Sequence, residues 1–197
     1  RTKESAMSRS THLLCGLIRV TIGRQTGRSK MPSSDEWQEL FELSQKHAIA
    51  GVTFAAVRKL QQNGVSIPSD VYWQWLGFTS QVQQRNEVMN VHCVEACNKL
   101  QKAGFKTCVL KGQGVAQLYG PELSLLRQSG DIDLWVNGGM NSAMTWARTN
   151  YGDVAFDYIN AHVPMFKETE VELHWRVRSM SNLIQNRRLQ KWMEEHE

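Results

Sequence analysis

Apolar positions recur every three to four residues through the first hundred residues of the chain, and then switch to strict alternation. Leu13, Leu14, Leu17 and Ile18 predict a helix over residues 11–22, with a basic loop of glycines and serines over 23–34. Ser33 and Glu36 have the spacing of a capping box, so a helix is expected to about His47, its apolar side being Trp37, Leu40, Phe41 and Leu43. Another runs from Gly51 to the Asn63-Gly64 stop. Pro68-Ser69-Asp70 opens a long helix reaching about Gly104. Its stripe is Val71, Trp75, Phe78, Val82, Asn86, Met89, Cys93, Ala96 and Leu100. Asn86 interrupts that stripe, which implies a buried polar contact or a register device. Residues 1–104 thus read as an all-helical region.

Beyond Gly104 the period falls to two. Lys106–Leu110 reads as a buried strand containing Cys108, the Lys111-Gly112-Gln113-Gly114 sequence breaks it, and Val115–Tyr119 has helical spacing up to Gly120-Pro121. In Asp131–Val136 the two aspartates share one face, and Ile132, Leu134 and Val136 share the other. Val171–Arg176 repeats the pattern, with Glu172, His174 and Arg176 on the polar side. A helix over Met140–Arg148, two antiparallel strands over Asp153–Ile159 and His162–Lys167, and a helix from Ser179 onward complete the reading. The predicted class is α/β (α+β), a small mixed sheet flanked by helices in residues 105–197.

Two carboxylates on one strand face repel each other unless a cation lies between them, which points to a divalent metal at Asp131 and Asp133. If the second strand pairs beside the first, Glu172 adds a third carboxylate. A set of hard oxygen donors suits Mg²⁺, held by one or two carboxylates together with substrate phosphates. Two such ions about 3.5–4 Å apart clamp an in-line phosphoryl or nucleotidyl displacement. Gly112 lets the backbone approach a phosphate, helix N-terminal amides of residues 113–115 would point at it, and Lys111 could neutralise a triphosphate. Arg127 reads either as a fork on the γ-phosphate or as a surface ion pair. His174 either orients Glu172, touches an acceptor, or is a satisfied sheet histidine; His162 is a weaker candidate, and His47 reads as a capping or packed residue.

The combination Leu110–Gly112, Leu118-Tyr119 with Pro121, Arg127 followed by Gly130–Leu134, and Val171–Trp175 resembles the uncharacterised nucleotidyltransferase family of bacteria. That family lies within the DNA polymerase β-like nucleotidyltransferase superfamily. The resemblance covers roughly residues 35–176. It implies a nucleotidyltransferase-type core in which Asp131 and Asp133 hold both metal ions against the nucleotide phosphates. Glu172 then ligates the ion that activates the acceptor hydroxyl. The turn at Lys111-Gly112 departs from the Gly-Ser of the wider superfamily and lacks its serine hydroxyl. The implied reaction is Mg²⁺-dependent transfer of a nucleoside monophosphate, AMP above all, from a nucleoside triphosphate such as ATP to a hydroxyl of a small molecule or protein, releasing pyrophosphate. Two alternatives stand beside it: a protein-modifying enzyme of toxin–antitoxin type, and a catalytically silent module that binds a nucleotide or a partner.

Composition narrows the partners. Hydrophobic residues at 41% and charged residues at 21% are those of an ordinary globular protein, and no apolar run reaches eighteen residues, so no membrane partner is expected. The net charge of +4 is uneven. Residues 1–30 carry seven basic groups against one acid, a net of +6, which leaves −2 for everything after them. A nucleic-acid partner is therefore not expected, because the candidate site lies in the part without positive charge. The four cysteines lack zinc-site spacing and read as reduced thiols, with Cys93 and Cys97 at i, i+4 on one helix, in keeping with a cytoplasmic protein. The chain begins at Arg1, so its first residues read as processing remnants. The resemblance implies that related chains continue beyond residue 197, so a chain shortened at its C-terminal end or a short member is expected.

Overall fold

The computed structural model describes residues 8–24 and 31–196. The elements run α1 (Arg9–Thr21), α2 (Ser34–Lys46), α3 (Ala50–Gln62), α4 (Ser69–Lys102), β1 (Thr107–Val109), α5 (Lys111–Ala116), β2 (Asp131–Val136), α6 (Gly139–Tyr151), β3 (Asn160–Val163), β4 (Glu170–His174) and α7 (Leu183–Glu194). This is the mixed α/β class with a helical N-terminal region. Part of the basic loop expected over 23–34 lies outside the described residues. Two compact units divide the chain, residues 1–86 with 119–128, and residues 87–118 with 129–197.

The first unit is helical. Its core gathers Leu14 and Leu17 of α1, Trp37, Leu40 and Phe41 of α2, Phe54 and Val57 of α3, and Val71 and Trp75 of α4. The Trp75 indole, fully buried, donates to the Ala50 carbonyl at 2.8 Å, so the polar end of this large core residue is satisfied. Ser33 and Glu36 form the expected capping box. Asn86 does have a buried polar role: its Nδ2 donates to the carbonyls of Leu125 (2.8 Å) and Arg127 (2.7 Å), fastening the 119–128 segment within the unit. His47, exposed, is the C-cap residue of α2.

The second unit holds a four-stranded sheet in the order β1-β2-β4-β3, with β2 and β4 parallel and both outer pairs antiparallel. Its apolar face, Ile132, Leu134, Val136, Ala161, Val163, Val171 and Leu173, packs with Met89, Cys93, Ala96 and Leu100 of α4 and with Ala143, Met144 and Ala147 of α6. Alternation then sends the neighbouring positions of β2, β4 and β3 to the opposite face, where the polar groups collect.

Several boundaries differ from the sequence reading. The helix expected over Val115–Tyr119 begins at Lys111 instead. Asp153–Ile159 is not a strand and contributes only an isolated bridge, Phe156 to Ala161. Oδ1 of Asp157 accepts from the backbone N–H groups of Ile159 and Asn160, and this Asx turn reverses the chain where the strand was expected. Strand β3 starts earlier than His162 and stops at Val163, because Pro164 has no N–H for the ladder. Cys108 is exposed, not buried, since β1 lies at the sheet edge and turns Cys108 away from the core.

Candidate active site

Register assembles the polar face. Because β2 and β4 pair in parallel, Asp131 is opposite Glu170, Asp133 opposite Glu172, and Trp135 opposite His174. Antiparallel pairing of β3 brings Asn160 opposite His174 and His162 opposite Glu172. Seven polar side chains from three strands therefore share one face: Asp131, Asp133, Glu170, Glu172, His174, Asn160 and His162.

Asp133 is at its centre and almost wholly buried. Its Oδ1 receives a hydrogen bond from Nε2 of His174 at 2.9 Å and an ion pair from Nζ of Lys111 at 2.7 Å. The same histidine nitrogen lies 3.1 Å from Oε2 of Glu172, so His174 bridges carboxylates on adjacent strands. Burial alone would raise the Asp133 carboxyl, but the hydrogen bonds and charges of His174 and Lys111 outweigh it and hold the group below its usual range. Burial likewise lowers His174, yet the hydrogen bond to Asp133 and the charges of Asp133 and Glu172 raise it above its ordinary value. Lys111 is raised chiefly by its hydrogen bond to Asp133. Asp133 is thus held by the His174 imidazole and the Lys111 ammonium.

Lys111 owes its position to an unusual backbone. Its φ is +23° and that of Gly112 is +34°, the left-handed side that a lysine rarely adopts. Gly112 is buried at this bend. Gly114 allows α5 to sit against β1, since a Cβ there would come within 2.3 Å of the Val109 carbonyl oxygen. Gln113, also buried, donates to Asn90 and accepts from Ser129, both at 2.8 Å, and so anchors the turn to α4.

The donor atoms of Asp133, Glu172 and His174 lie within 4.8 Å of one another, close enough to hold a metal ion; those of His162, Glu170 and Glu172 form a second such group. Two carboxylates with Glu172 shared fit a divalent cation, and an ion there would take over the charge balance that His174 and Lys111 provide. Asp131, half-buried at the start of β2, is in neither group, although its charge acts on Lys111. Arg127 belongs to the 119–128 segment of the first unit, where its carbonyl accepts from Asn86. A cavity of about 240 Å³ opens beyond the carboxyl ends of β2 and β4, lined by Met140, Trp175, Arg176, Gln190 and Glu194 among others; Asp131, Asp133, Glu170 and Glu172 are not in its lining.

Sequence reasoning missed Asn160, whose Nδ2 donates to Oε2 of Glu172 at 2.6 Å. The signal was present only as a polar residue one step before the alternating Ala161–Val163 segment, and the turn at Asp157 concealed which strand it belonged to.

The model of the uncharacterised nucleotidyltransferase family matches residues 33–197, and the chain belongs to that family. No curated protein matches the chain, and no solved structure does. Membership points to nucleotidyl transfer from a nucleoside triphosphate. Among the described residues, no helix is long and apolar enough to cross a membrane.

Proposed function

We propose that this nucleotidyltransferase-family chain is a Mg²⁺-dependent enzyme that transfers a nucleoside monophosphate, AMP in the first instance, from the triphosphate to a hydroxyl of a small molecule or a protein. The observation that carries this reading is the Asp133–Glu172 register: carboxylates from neighbouring parallel strands meet on one face, joined by His174. Asp133 and Glu172 would hold the cation, with Asp131 reaching it from the same strand face once a nucleotide is bound; the cation would neutralise the triphosphate and favour the alkoxide form of the acceptor.

The chain's own groups supply the rest. The acceptor oxygen attacks the α-phosphorus, the bond from that phosphorus to the oxygen bridging the β-phosphate breaks, and pyrophosphate leaves with the electron pair. Glu172 takes the acceptor proton, a role worth on the order of 10²–10⁴-fold in rate. Lys111, more than half exposed beside Asp133, is free to swing toward phosphate oxygens once a cation replaces it at the carboxylate. His174 keeps Asp133 and Glu172 in register.

One observation favours a second reading. Oδ1 of Asp133 already has two internal partners, the Lys111 ammonium and the His174 imidazole, an arrangement that would also suit a silent module whose metal is replaced by side chains. Incubating the chain with each α-³²P-labelled nucleoside triphosphate and Mg²⁺, with protein and metabolite acceptors, separates the two. Label transfer that Glu172→Gln abolishes supports the enzyme; nucleotide binding without pyrophosphate release supports the module.

A further inference from the structure

We infer that Asn160 is a positioning residue for Glu172, fixing one carboxylate oxygen so that the other is presented for cation binding or proton transfer; this rests on the metal-dependent reading above. Asn160 is 5% exposed and starts β3 directly opposite His174. Its Nδ2 donates to Oε2 of Glu172 at 2.6 Å, and His174 Nε2 reaches that same oxygen at 3.1 Å. Two donors thus converge on Oε2. Nδ1 of His162 lies 3.9 Å from Oε1, beyond hydrogen-bond length. Among the described residues, Glu172 is therefore held by hydrogen bonds to one oxygen, Oε2.

The orientation of the amide follows from charge. A reversed Asn160 would set its carbonyl oxygen against the Glu172 carboxylate, acceptor against acceptor. In the observed orientation Oδ1 is buried without a hydrogen-bond partner among the described residues. A buried acceptor left without a donor is costly, so the site tolerates that cost to keep the donor on Glu172. The backbone is braced too: Oδ1 of Asp157 accepts from the N–H groups of Ile159 (2.7 Å) and Asn160 (3.0 Å). The Asx turn thus sets where Asn160 enters the strand, and Asn160 sets where Glu172 points. Groups that orient a ligating carboxylate in this way typically change metal affinity on the order of 10–100-fold when removed.

The test uses Mn²⁺ as the probe, read by electron paramagnetic resonance on the full chain. Asn160→Ala should weaken Mn²⁺ binding about 10-fold or more. Asn160→Leu, which keeps the volume and removes the orphan acceptor along with the donor, should do the same while melting no lower than wild type. In a Glu172→Gln background, adding Asn160→Ala should produce no further loss, because the residue acts through Glu172. Wild-type Mn²⁺ affinity in both Asn160 variants, or an undiminished penalty in the Gln background, overturns the positioning role and leaves the metal site standing. Failure of the wild-type chain to bind Mn²⁺ in a manner sensitive to Asp133→Asn overturns the metal site, and this inference with it.

Discussion

Nε2 of His174 lies 2.9 Å from Oδ1 of Asp133, and both side chains are 3% exposed. A buried carboxylate and its hydrogen-bonded imidazole are costly to break apart from one side, on the order of 3–5 kcal/mol, because the surviving carboxylate charge stays buried. His174→Leu should therefore destabilise the chain in EDTA by about 3 kcal/mol. Mg²⁺ should restore part of that loss by supplying the missing positive charge. Urea denaturation with and without Mg²⁺ checks this; a variant as stable as wild type in EDTA would contradict it.

The same pair sets a pH window in metal-free protein. His174 is raised in the fold, so its stabilisation is complete below its ordinary value near 6.5 and is lost as pH rises through the raised value. Asp133 is lowered, so its share is complete above its ordinary value near 3.8 and is lost as pH falls through the lowered value. Stability in EDTA should be greatest between about pH 4 and 6.5 as far as this pair decides it. His174→Leu should flatten the alkaline limb, read as unfolding free energy against pH.

Much of this site was legible in the alternation of Asp131–Val136 and Val171–Trp175, since a period of two fixes which residues share a face. The pairing partner of each strand was not legible. That Asp133 meets Glu172 and not Glu170 is decided by register, which emerges from packing of Ile132, Leu134, Val171 and Leu173 on the far face. Asn160 escaped for the same reason, compounded by the Asx turn at Asp157, whose side chain competes with strand formation. The helical stripe of α4 was readable down to the polar contact at Asn86, because a 3.6-residue period carries its own burial pattern. The exposure of Cys108 was not, because edge and central strands look alike in so short a segment.

Glycines separate close approach from free space. A Cβ on Gly51 would come within 2.4 Å of the Leu126 carbonyl oxygen, and one on Gly114 within 2.3 Å of the Val109 carbonyl oxygen. Gly51→Ala and Gly114→Ala should each cost about 1–3 kcal/mol by forcing backbone apart. Gly77, inside α4 with nothing near its Cβ position, is the control: Gly77→Ala should add roughly 0.5–1 kcal/mol. Thermal melts of the three variants decide it, and equal effects at all three positions would contradict the packing described here.

Thiol chemistry should divide along burial. Burial, and secondarily the neighbouring Cys97, push the Cys93 thiol up to about 12, whereas Cys108 is exposed at the sheet edge. A disulfide reagent at pH 8 should modify Cys108 rapidly and Cys93 only on unfolding, because the thiolate is the reacting form. Mass mapping of the modified peptides over time checks the order. Early labelling of Cys93 would mean that the packing around α4 opens.

The most direct measurement is calorimetric titration of the chain with each nucleoside triphosphate, in Mg²⁺ and in EDTA, beside the Asp131→Asn/Asp133→Asn double variant. The account predicts saturable binding that needs Mg²⁺ and disappears in the double variant while its fold persists. Binding of equal strength in EDTA or in that variant, or no binding at all by the folded wild-type chain, would contradict a metal-dependent nucleotide site on β2 and β4.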